Sequence, residues 1–124
     1  MILIVGGTAQ GKLNYALSTY RKTLDDVADN TADAHHKAIF NHFHLYVRNQ
    51  LAQGSTDLTA ELEALLTANP DIIILCDEIG CGIVPIDRFE RTYRETTGRL
   101  CCMLAARAER VERVFCGIAT TIKG

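Results

Sequence analysis

The sequence predicts an α/β fold in which helices cover a mainly parallel sheet. Two short apolar runs rich in β-branched residues, at 2–5 and 71–75, are typical of buried parallel strands. A third strand is predicted in "VERVFCGI" at 111–118, after a long helical segment. Strands that alternate with helices are joined by right-handed crossovers, and such crossovers produce a parallel sheet.

Length and composition predict a single domain over residues 1–124. Of the 124 residues, 48% are hydrophobic and 23% charged, as in ordinary globular proteins. The formal net charge of −2 provides no basic field, so we expect no nucleic-acid partner. No apolar run approaches the roughly 18 residues of a spanning helix, and the first residues lack a signal-peptide pattern. We therefore expect a cytoplasmic protein without a membrane span.

The helices are predicted from apolar residues at helical spacing. This pattern indicates four helices, at about 11–20, 35–50, 55–67 and 87–109. Asp57 and Asp87 are the expected N-caps of the third and fourth helices, and Asn69-Pro70 ends the third. The acidic stretch 22–34 has no apolar pattern and predicts a surface loop.

The five cysteines form no Cys-x-x-Cys pair, so zinc-site spacing is absent. In the cytosol such residues are expected to be reduced thiols that pack as small hydrophobes. The roles of Cys81, Cys101 and Cys102 stay open. Cys81 is of most interest because it falls in a predicted loop. The cysteines are Cys76, Cys81, Cys101, Cys102 and Cys116.

The segment after the first strand has the spacing of a phosphate-binding loop, G-x-x-x-x-G-K, with Gly6, Gly11 and Lys12 in place. In such a loop, backbone N–H groups surround phosphate oxygens and the next helix points its N-terminus at the same anion. The alternative is a glycine turn with an exposed lysine. The candidate nucleotide-binding residues are Gly6, Gly7, Thr8, Ala9, Gln10, Gly11 and Lys12.

Leu13 stands where the loop pattern has the serine or threonine that ligates magnesium. An apolar side chain supplies no oxygen ligand, so we expect Mg²⁺ binding to be weakened in this chain.

Two adjacent acids, Asp77 and Glu78, follow the strand at 71–75. Ligands of parallel α/β sheets sit at the carboxyl ends of strands, where the Gly6–Lys12 loop is also expected. A carboxylate there can hold Mg²⁺ or polarise an attacking hydroxyl. Gly80 and Gly82 would allow close backbone approach to a ligand. The alternative is an ordinary strand-to-helix turn with solvated acids.

The stretch "CDEIGCGIVPIDRFERTYRETTGRLCCMLAARAERVERVFCGI" at 76–118 resembles the C-terminal part of one enzyme family. This family is the bifunctional adenosylcobinamide kinase/adenosylcobinamide-phosphate guanylyltransferase of cobalamin biosynthesis. Its pattern there is N-E-V-G-x-G-I-V-P, then a helix with R-x-[FY]-R-[DE]-x-x-G-R. The opening "MILIVGGTAQGK" is similar to the family's G-G-x-x-S-G-K-S. The matching residues include Glu78, Gly80, Gly82, Pro85, Arg91, Tyr93, Arg94, Glu95, Gly98 and Arg99.

The resemblance implies a small P-loop NTPase-like three-layer fold and a homo-oligomer, commonly a trimer. It implies two reactions on a cobinamide-type small molecule: phosphorylation by a nucleoside triphosphate, then transfer of GMP from GTP through a guanylylated histidine. The stretch "TADAHHKAIFNHF" carries His36 in a place similar to that histidine. Glu78 then becomes the expected catalytic and metal-binding carboxylate, and Asp77 a nucleotide contact. The cofactors expected are GTP or ATP with Mg²⁺.

Two other interpretations stay open. Leu13 and the short chain favour a non-catalytic nucleotide-binding or assembly module that kept the family fold. A kinase for a different small hydroxylated substrate is the third interpretation. His35, His36, His42 and His44 are predicted in one helix, where no two are spaced i, i+4, so a shared metal site is not expected.

Interleaved arginines and glutamates at 107–113 predict a solvated charged face. Glycine inside a helix costs about 1 kcal/mol relative to alanine, so Gly98 is expected to meet a specific requirement, which the family motif around it would supply.

Overall fold

A computed structural model describes residues 1–55, 57–79 and 87–124, and it confirms the predicted α/β fold. One six-stranded sheet has the order β2-β3-β4-β1-β5-β6; its first five strands are parallel, and β6 runs antiparallel to β5. The strands are β1 (Ile2–Gly6), β2 (Val27–Ala28), β3 (Ile39–Phe40), β4 (Ile73–Asp77), β5 (Arg110–Phe115) and β6 (Ile118–Lys123). The helices are α1 (Lys12–Thr19), α2 (Thr31–Ala34), α3 (Phe43–Ala52), α4 (Thr59–Ala68) and α5 (Arg88–Arg107).

Helices pack on both faces of the sheet, which gives the expected three layers. Alternate residues of β4 point to opposite faces because side chains alternate along a strand. Ile74 belongs to the larger apolar cluster, with residues of α3, α4 and α5. Leu75 belongs to the smaller cluster, with Ala16 of α1. Burial on both faces explains why the central strands are continuous apolar runs.

The predicted helix at 35–50 is wrong in its first half. Ile39 and Phe40 form β3, fully buried between β2 and β4, and the helix begins only at Phe43. The polar stretch predicted as a loop at 22–34 contains β2 and α2 as well as a short 3-10 turn. In Ile39–Phe40 and Val27–Ala28, pairing with neighbouring strands outweighed the local sequence pattern, because tertiary context overrides weak local preferences. The four histidines therefore do not share one helix.

The single strand predicted at 111–118 is a hairpin of β5 and β6. Cys116 and Gly117 connect the two strands, and both have positive φ (51° and 76°), as in a two-residue type I′ turn. The chain thus has six described strands rather than the three predicted. Asp87 is confirmed as an N-cap, because its side chain accepts a hydrogen bond from the Phe89 amide. Asp57 accepts from the Thr59 amide, one residue before the cap position of α4.

The predicted solvated face at 107–113 is wrong for Glu112, whose exposed fraction is 1%. The hydroxyls of Tyr15 and Tyr20 donate to its two carboxylate oxygens, and Arg110 Nε lies 3.2 Å from Oε1. This cluster joins α1 to β5. The glycine–proline segment, with Gly80, Cys81 and Gly82, lies outside the described residues. Among the described helices, none is long and apolar enough to cross a membrane.

Candidate active site

The loop between β1 and α1 contains two residues in the left-handed backbone region and leads directly into the helix. Ala9 and Gly11 adopt positive φ (58° and 92°), and Gly11 is the N-cap of α1. No acidic residue lies in the first turn of α1, so no side-chain anion of the helix itself competes for its N-terminal amides. Gly6 passes so close to β5 that a Cβ would lie 2.5 Å from the Val114 carbonyl oxygen.

The β5–β6 turn supports this loop from outside. The backbone oxygen of Gln10 accepts a hydrogen bond from Gly117 N at 2.8 Å, and its side-chain Oε1 accepts from Cys116 N at 2.7 Å. The two bonds explain why the loop holds its shape although most of its residues are small. Gln10 is therefore anchored by both its backbone and its side chain.

A cavity of about 280 Å³ opens at the carboxyl end of the sheet between the loop and β3–α3. Five of the seven predicted loop residues line it, together with Asp77. Its size is close to the lower end of the range for small-molecule pockets. The lining residues are Thr8, Ala9, Gln10, Gly11, Lys12, Leu13, Asn14, Asn41, His42 and Asp77.

Lys12 is directed into the loop rather than into solvent. Its Nζ donates to the carbonyl oxygens of Gly6 (3.2 Å) and Gly7 (2.8 Å) and lies 2.6 Å from Asp77 Oδ1. Only 9% of its side chain is exposed. The alternative of an exposed lysine beside a simple glycine turn is therefore wrong.

Asp77 is the carboxylate that faces the loop. Besides Lys12, it accepts a hydrogen bond from the Thr8 hydroxyl at 2.9 Å on Oδ2. Burial opposes ionisation of this group, but the hydrogen bonds from Lys12 and Thr8 outweigh it and hold the pKa of Asp77 below its usual range. The site thus contains an ionised carboxylate beside a buried ammonium group.

His44, near the start of α3, contacts the same carboxylate. Its Nε2 lies 3.3 Å from Asp77 Oδ2, and its Nδ1 accepts a hydrogen bond from the Asp77 amide at 3.1 Å. Burial lowers the pKa of His44, so the imidazole is neutral near pH 7. Sequence reasoning placed this histidine correctly in a helix but missed its role, because only the packing of α3 beside the end of β4 shows that it meets Asp77.

Asn41 and His42 also line the cavity and were not predicted as site residues. They follow directly after β3, so they lie at the carboxyl ends of the strands, as the loop does. Recognising the apolar run "AIF" as a strand would have identified them. His42 has positive φ (55°), and half of its side chain is exposed.

Glu78 points away from the loop and pairs with Arg113 of β5. Glu78 Oε1 lies 2.8 Å from Arg113 Nε, and Arg113 Nη2 donates to Oε2 at 3.2 Å. Glu78 also lines a second cavity of about 250 Å³, which Asp77 borders as well. The two adjacent acids therefore lie on different sides of one strand end, and only Asp77 contacts Lys12.

His36 lies at the opposite end of the strands, near the amino ends of β3 and β4. It lines a separate cavity with Lys22, Asn69 and Asp71, next to the start of β4, whereas Asp77 is the last residue of that strand. The five residues of β4 span roughly 13 Å. The structure therefore does not bring His36 together with Lys12.

The donor set at the loop fits a Mg²⁺ ion that takes most of its ligands from phosphate and water. Asp77 supplies a carboxylate and Thr8 a hydroxyl, whereas Leu13 lines the cavity with carbon. Within the described residues, no three His, Cys, Asp or Glu side chains converge into a protein-only metal cage. This arrangement suits a metal that arrives with a phosphate ligand.

Comparison with known proteins bears on the whole arrangement. The family "Cobinamide kinase / cobinamide phosphate guanyltransferase" matches residues 19–122, which begin at the last residue of α1 and do not include the Gly6–Lys12 loop. The bifunctional adenosylcobalamin biosynthesis protein CobU of Escherichia coli (strain K12) is 36% identical over 70 residues. Its Salmonella typhimurium (strain LT2) counterpart is 40% identical over 52 residues.

The aligned parts are 53% of this chain and 39% of the Escherichia coli protein, and 42% and 29% for the Salmonella protein. The chain therefore spans well under half the length of the curated relatives it matches. The family match covers most of the chain, including β2–β4, α5 and the β5–β6 hairpin. The chain belongs to the cobinamide kinase/cobinamide phosphate guanylyltransferase family.

Proposed function

We propose that this chain binds the phosphates of GTP or ATP at the Gly6–Lys12 loop and transfers a phosphoryl or guanylyl group to a cobinamide-type small molecule. The observation that carries the proposal is the convergence of Lys12, Asp77 and the N-terminus of α1 on one cavity. Membership of the family and the names of its relatives support the substrate class.

Phosphoryl transfer depends on positioning and on stabilising charge. A nucleotide whose phosphates enter the loop would meet backbone amides, the helix N-terminus and Lys12. The Lys12 ammonium would exchange its carbonyl partners for phosphate oxygens, and Asp77 would keep it in the loop. In this proposal Glu78, together with Asp77, would orient the hydroxyl that attacks the γ-phosphorus.

Mg²⁺ would neutralise the phosphate charge in this reaction. Asp77 and Thr8 are the residues at the loop that could hold it, and Glu78 is the second carboxylate at the strand end. A metal role for Glu78 requires its carboxylate to leave Arg113. Glu78→Gln is then expected to lower turnover while the fold remains. Wild-type turnover in that variant would exclude Glu78 from catalysis and metal binding.

Guanylyl transfer needs a nucleophile. His36 is the histidine that the family pattern indicates, and His42 is the one that lines the loop cavity with an exposed ring. The imidazole nitrogen would bond to the α-phosphorus of GTP, and pyrophosphate would leave. The variants His36→Ala and His42→Ala would show which of the two histidines is the nucleophile.

A homo-oligomer in the cytoplasm completes the proposal. Large apolar side chains remain exposed on the β5–β6 hairpin: Phe115 is 64% exposed, Ile118 71% and Ile122 61%. Patches of this kind often mark protein interfaces. Light scattering of the wild type and of Ile118→Lys would test whether the hairpin joins subunits.

The deciding experiment uses α-labelled and γ-labelled GTP in parallel with Mg²⁺ and a cobinamide acceptor. Acid-labile α-label on the denatured chain, lost in His36→Ala or His42→Ala, would establish guanylylation. γ-Label on the acceptor would establish the kinase reaction. Saturable nucleotide binding without either label would favour the non-catalytic module. No binding in the same samples would refute the proposed site.

A further inference from the structure

The imidazole of His44 contacts one residue through both of its nitrogens. Nδ1 accepts from the backbone amide of Asp77 at 3.1 Å, and Nε2 lies 3.3 Å from Oδ2 of the same residue. His44 is buried, with 6% of its surface exposed. The Nδ1 contact fixes the main chain at the end of β4, and the Nε2 contact fixes the side-chain carboxylate of the same residue, Asp77.

The two contacts define one tautomer. A backbone amide can only donate, so Nδ1 must be unprotonated; the proton of the neutral ring then lies on Nε2, where it can be donated to the carboxylate. Oδ2 accepts a hydrogen bond from Thr8 and lies 3.3 Å from His44 Nε2, and Oδ1 lies 2.6 Å from Lys12 Nζ. Each oxygen of Asp77 therefore has an assigned partner.

We propose that His44 is a positioning residue of this site, holding the Asp77 carboxylate in the orientation that keeps Lys12 inside the loop. The inference rests on the proposed function, because it assigns His44 a role in that same reaction. His44 acts through Asp77 and does not touch the ligand. Its burial and its two engaged nitrogens distinguish it from His42, two residues earlier, whose ring is exposed to the cavity.

Three substitutions of His44 test its two contacts with Asp77 separately and together. His44→Leu removes both contacts. His44→Asn can keep an acceptor near Nδ1 for the Asp77 amide, and His44→Gln can keep a donor near Nε2 for the carboxylate. Loss of a partner that orients a metal-binding side chain typically lowers metal affinity or activity about 10–100-fold, and Asp77 is such a side chain in the proposed function. We expect that loss in kcat for His44→Leu, together with a rise in the nucleotide KM, because an unoriented Asp77 no longer keeps Lys12 in the loop.

Recovery by His44→Gln beyond that of His44→Asn would support control of the carboxylate. Rates are expressed per nucleotide-binding site, so that a mere loss of folded protein does not lower them. His35→Gln, at the other edge of the sheet, is the matched histidine control and should keep wild-type rates. Wild-type kcat per binding site in His44→Leu would overturn the proposal.

A second measurement does not depend on catalysis. In ¹⁵N-histidine NMR of the whole protein near pH 7, His44 should show an unprotonated Nδ1 and a protonated Nε2. Asp77→Asn should shift the His44 signals more than those of His35, His36 and His42. The opposite tautomer, or no response to Asp77→Asn, would overturn the proposal. If the wild type lacks turnover, the proposed function fails, and this spectrum still decides whether His44 holds Asp77.

Discussion

Lys12 Nζ and Asp77 Oδ1 lie 2.6 Å apart. The two residues are far apart in the sequence, and the pairing of β1 with β4 brings them together. Their side chains are 9% and 15% exposed, so the pair is shielded from water. Removing one partner of a buried pair costs about 3–5 kcal/mol, because the other charge stays buried and unpaired. The pair therefore connects stability of the fold with the shape of the loop.

We expect Lys12→Met to lower both nucleotide affinity and the free energy of unfolding. The double variant Lys12→Met/Asp77→Asn should be more stable than Lys12→Met alone, because it removes the unpaired carboxylate. Urea denaturation of the four proteins of this cycle gives the coupling energy, expected at about 2–4 kcal/mol given the residual exposure. Lys22→Met, at the opposite edge, is the control. A coupling energy near zero would contradict the buried ion pair.

Leu13→Ser should increase the effect of Mg²⁺ on nucleotide binding. The hydroxyl would supply the oxygen ligand that the loop lacks, whereas the natural leucine packs at the edge of the smaller apolar cluster. Leu17→Ser is the matched control, because Leu17 belongs to the same helix and packs against the same cluster. Calorimetric titration with and without Mg²⁺ measures the change. An equal Mg²⁺ effect in both variants would show that position 13 does not face the metal.

Gly6→Ala and Gly98→Ala should have opposite effects on stability. A Cβ on Gly6 would meet the Val114 carbonyl oxygen at 2.5 Å, so β1 and β5 would have to separate. A Cβ on Gly98 would have no neighbour within 4 Å among the described residues. Gly98→Ala should therefore gain about 0.5–1 kcal/mol from its helix position, whereas Gly6→Ala should lose several times that amount. Thermal unfolding of the two variants decides.

The result for Gly98 also bears on its expected requirement. Gly98 lines the second cavity with Asp77 and Glu78. A variant that is more stable but turns over more slowly would show that ligand binding in this cavity, and not the helix, requires the glycine. A destabilised Gly98→Ala would show instead that packing demands the glycine.

Cys76 and Cys101 should form a disulfide under a thiol oxidant. Their Sγ atoms lie 3.6 Å apart, one on β4 and the other on α5. Each thiol would lose a proton, and the pair would pass two electrons to an added oxidant such as diamide. Peptide mapping of the oxidised protein should show this link, and Cys101→Ser should abolish it. Cys102→Ser is the adjacent control, since Cys102 is exposed. Links through Cys116 instead would contradict the pairing.

The sequence predicted the features that depend on local pattern. The strands that became β1 and β4 were continuous apolar runs, and the loop between β1 and α1 followed from the spacing of Gly6, Gly11 and Lys12. Helix α5 was predicted within two residues, because an acidic N-cap and a long apolar stripe define it. Local pattern was sufficient where an element had enough residues to show its own period.

Features set by tertiary pairing could not be predicted in this way. The strand β3 has only two residues, so its period could not be told from that of a helix, and its sheet neighbours decided its structure. The role of His44 was missed because its contact with Asp77 depends on the packing of α3 beside β4. The different partners of Asp77 and Glu78 depend on Lys12 and Arg113, which come from two other parts of the chain. Adjacent acids in a sequence cannot show which strand neighbour each one meets.

The Glu112 cluster should make the free energy of unfolding depend on pH in the acidic range. Burial opposes ionisation of Glu112, but the hydroxyls of Tyr15 and Tyr20 and the Arg110 guanidinium outweigh it and lower its pKa from the usual 4.5. The folded protein therefore holds the ionised form more tightly than the unfolded chain does. This contribution is complete above the unfolded-state pKa and is lost as pH falls through the lower, folded-state value.

We expect the free energy of unfolding of the wild type to fall as pH drops below about 4.5. Glu112→Gln should be about 2–4 kcal/mol less stable than the wild type at pH 7, because the arginine loses its partner and two hydroxyls lose an ionised acceptor. The difference between the two proteins should shrink towards acid pH, since the wild-type carboxyl is then protonated. Glu109→Gln, whose side chain is 73% exposed beside the chain terminus, should cost less than about 1 kcal/mol at any pH. Urea denaturation from pH 3 to 7 measures these differences, and a gap between wild type and Glu112→Gln that stays constant over this range would show that ionisation of Glu112 does not stabilise the fold.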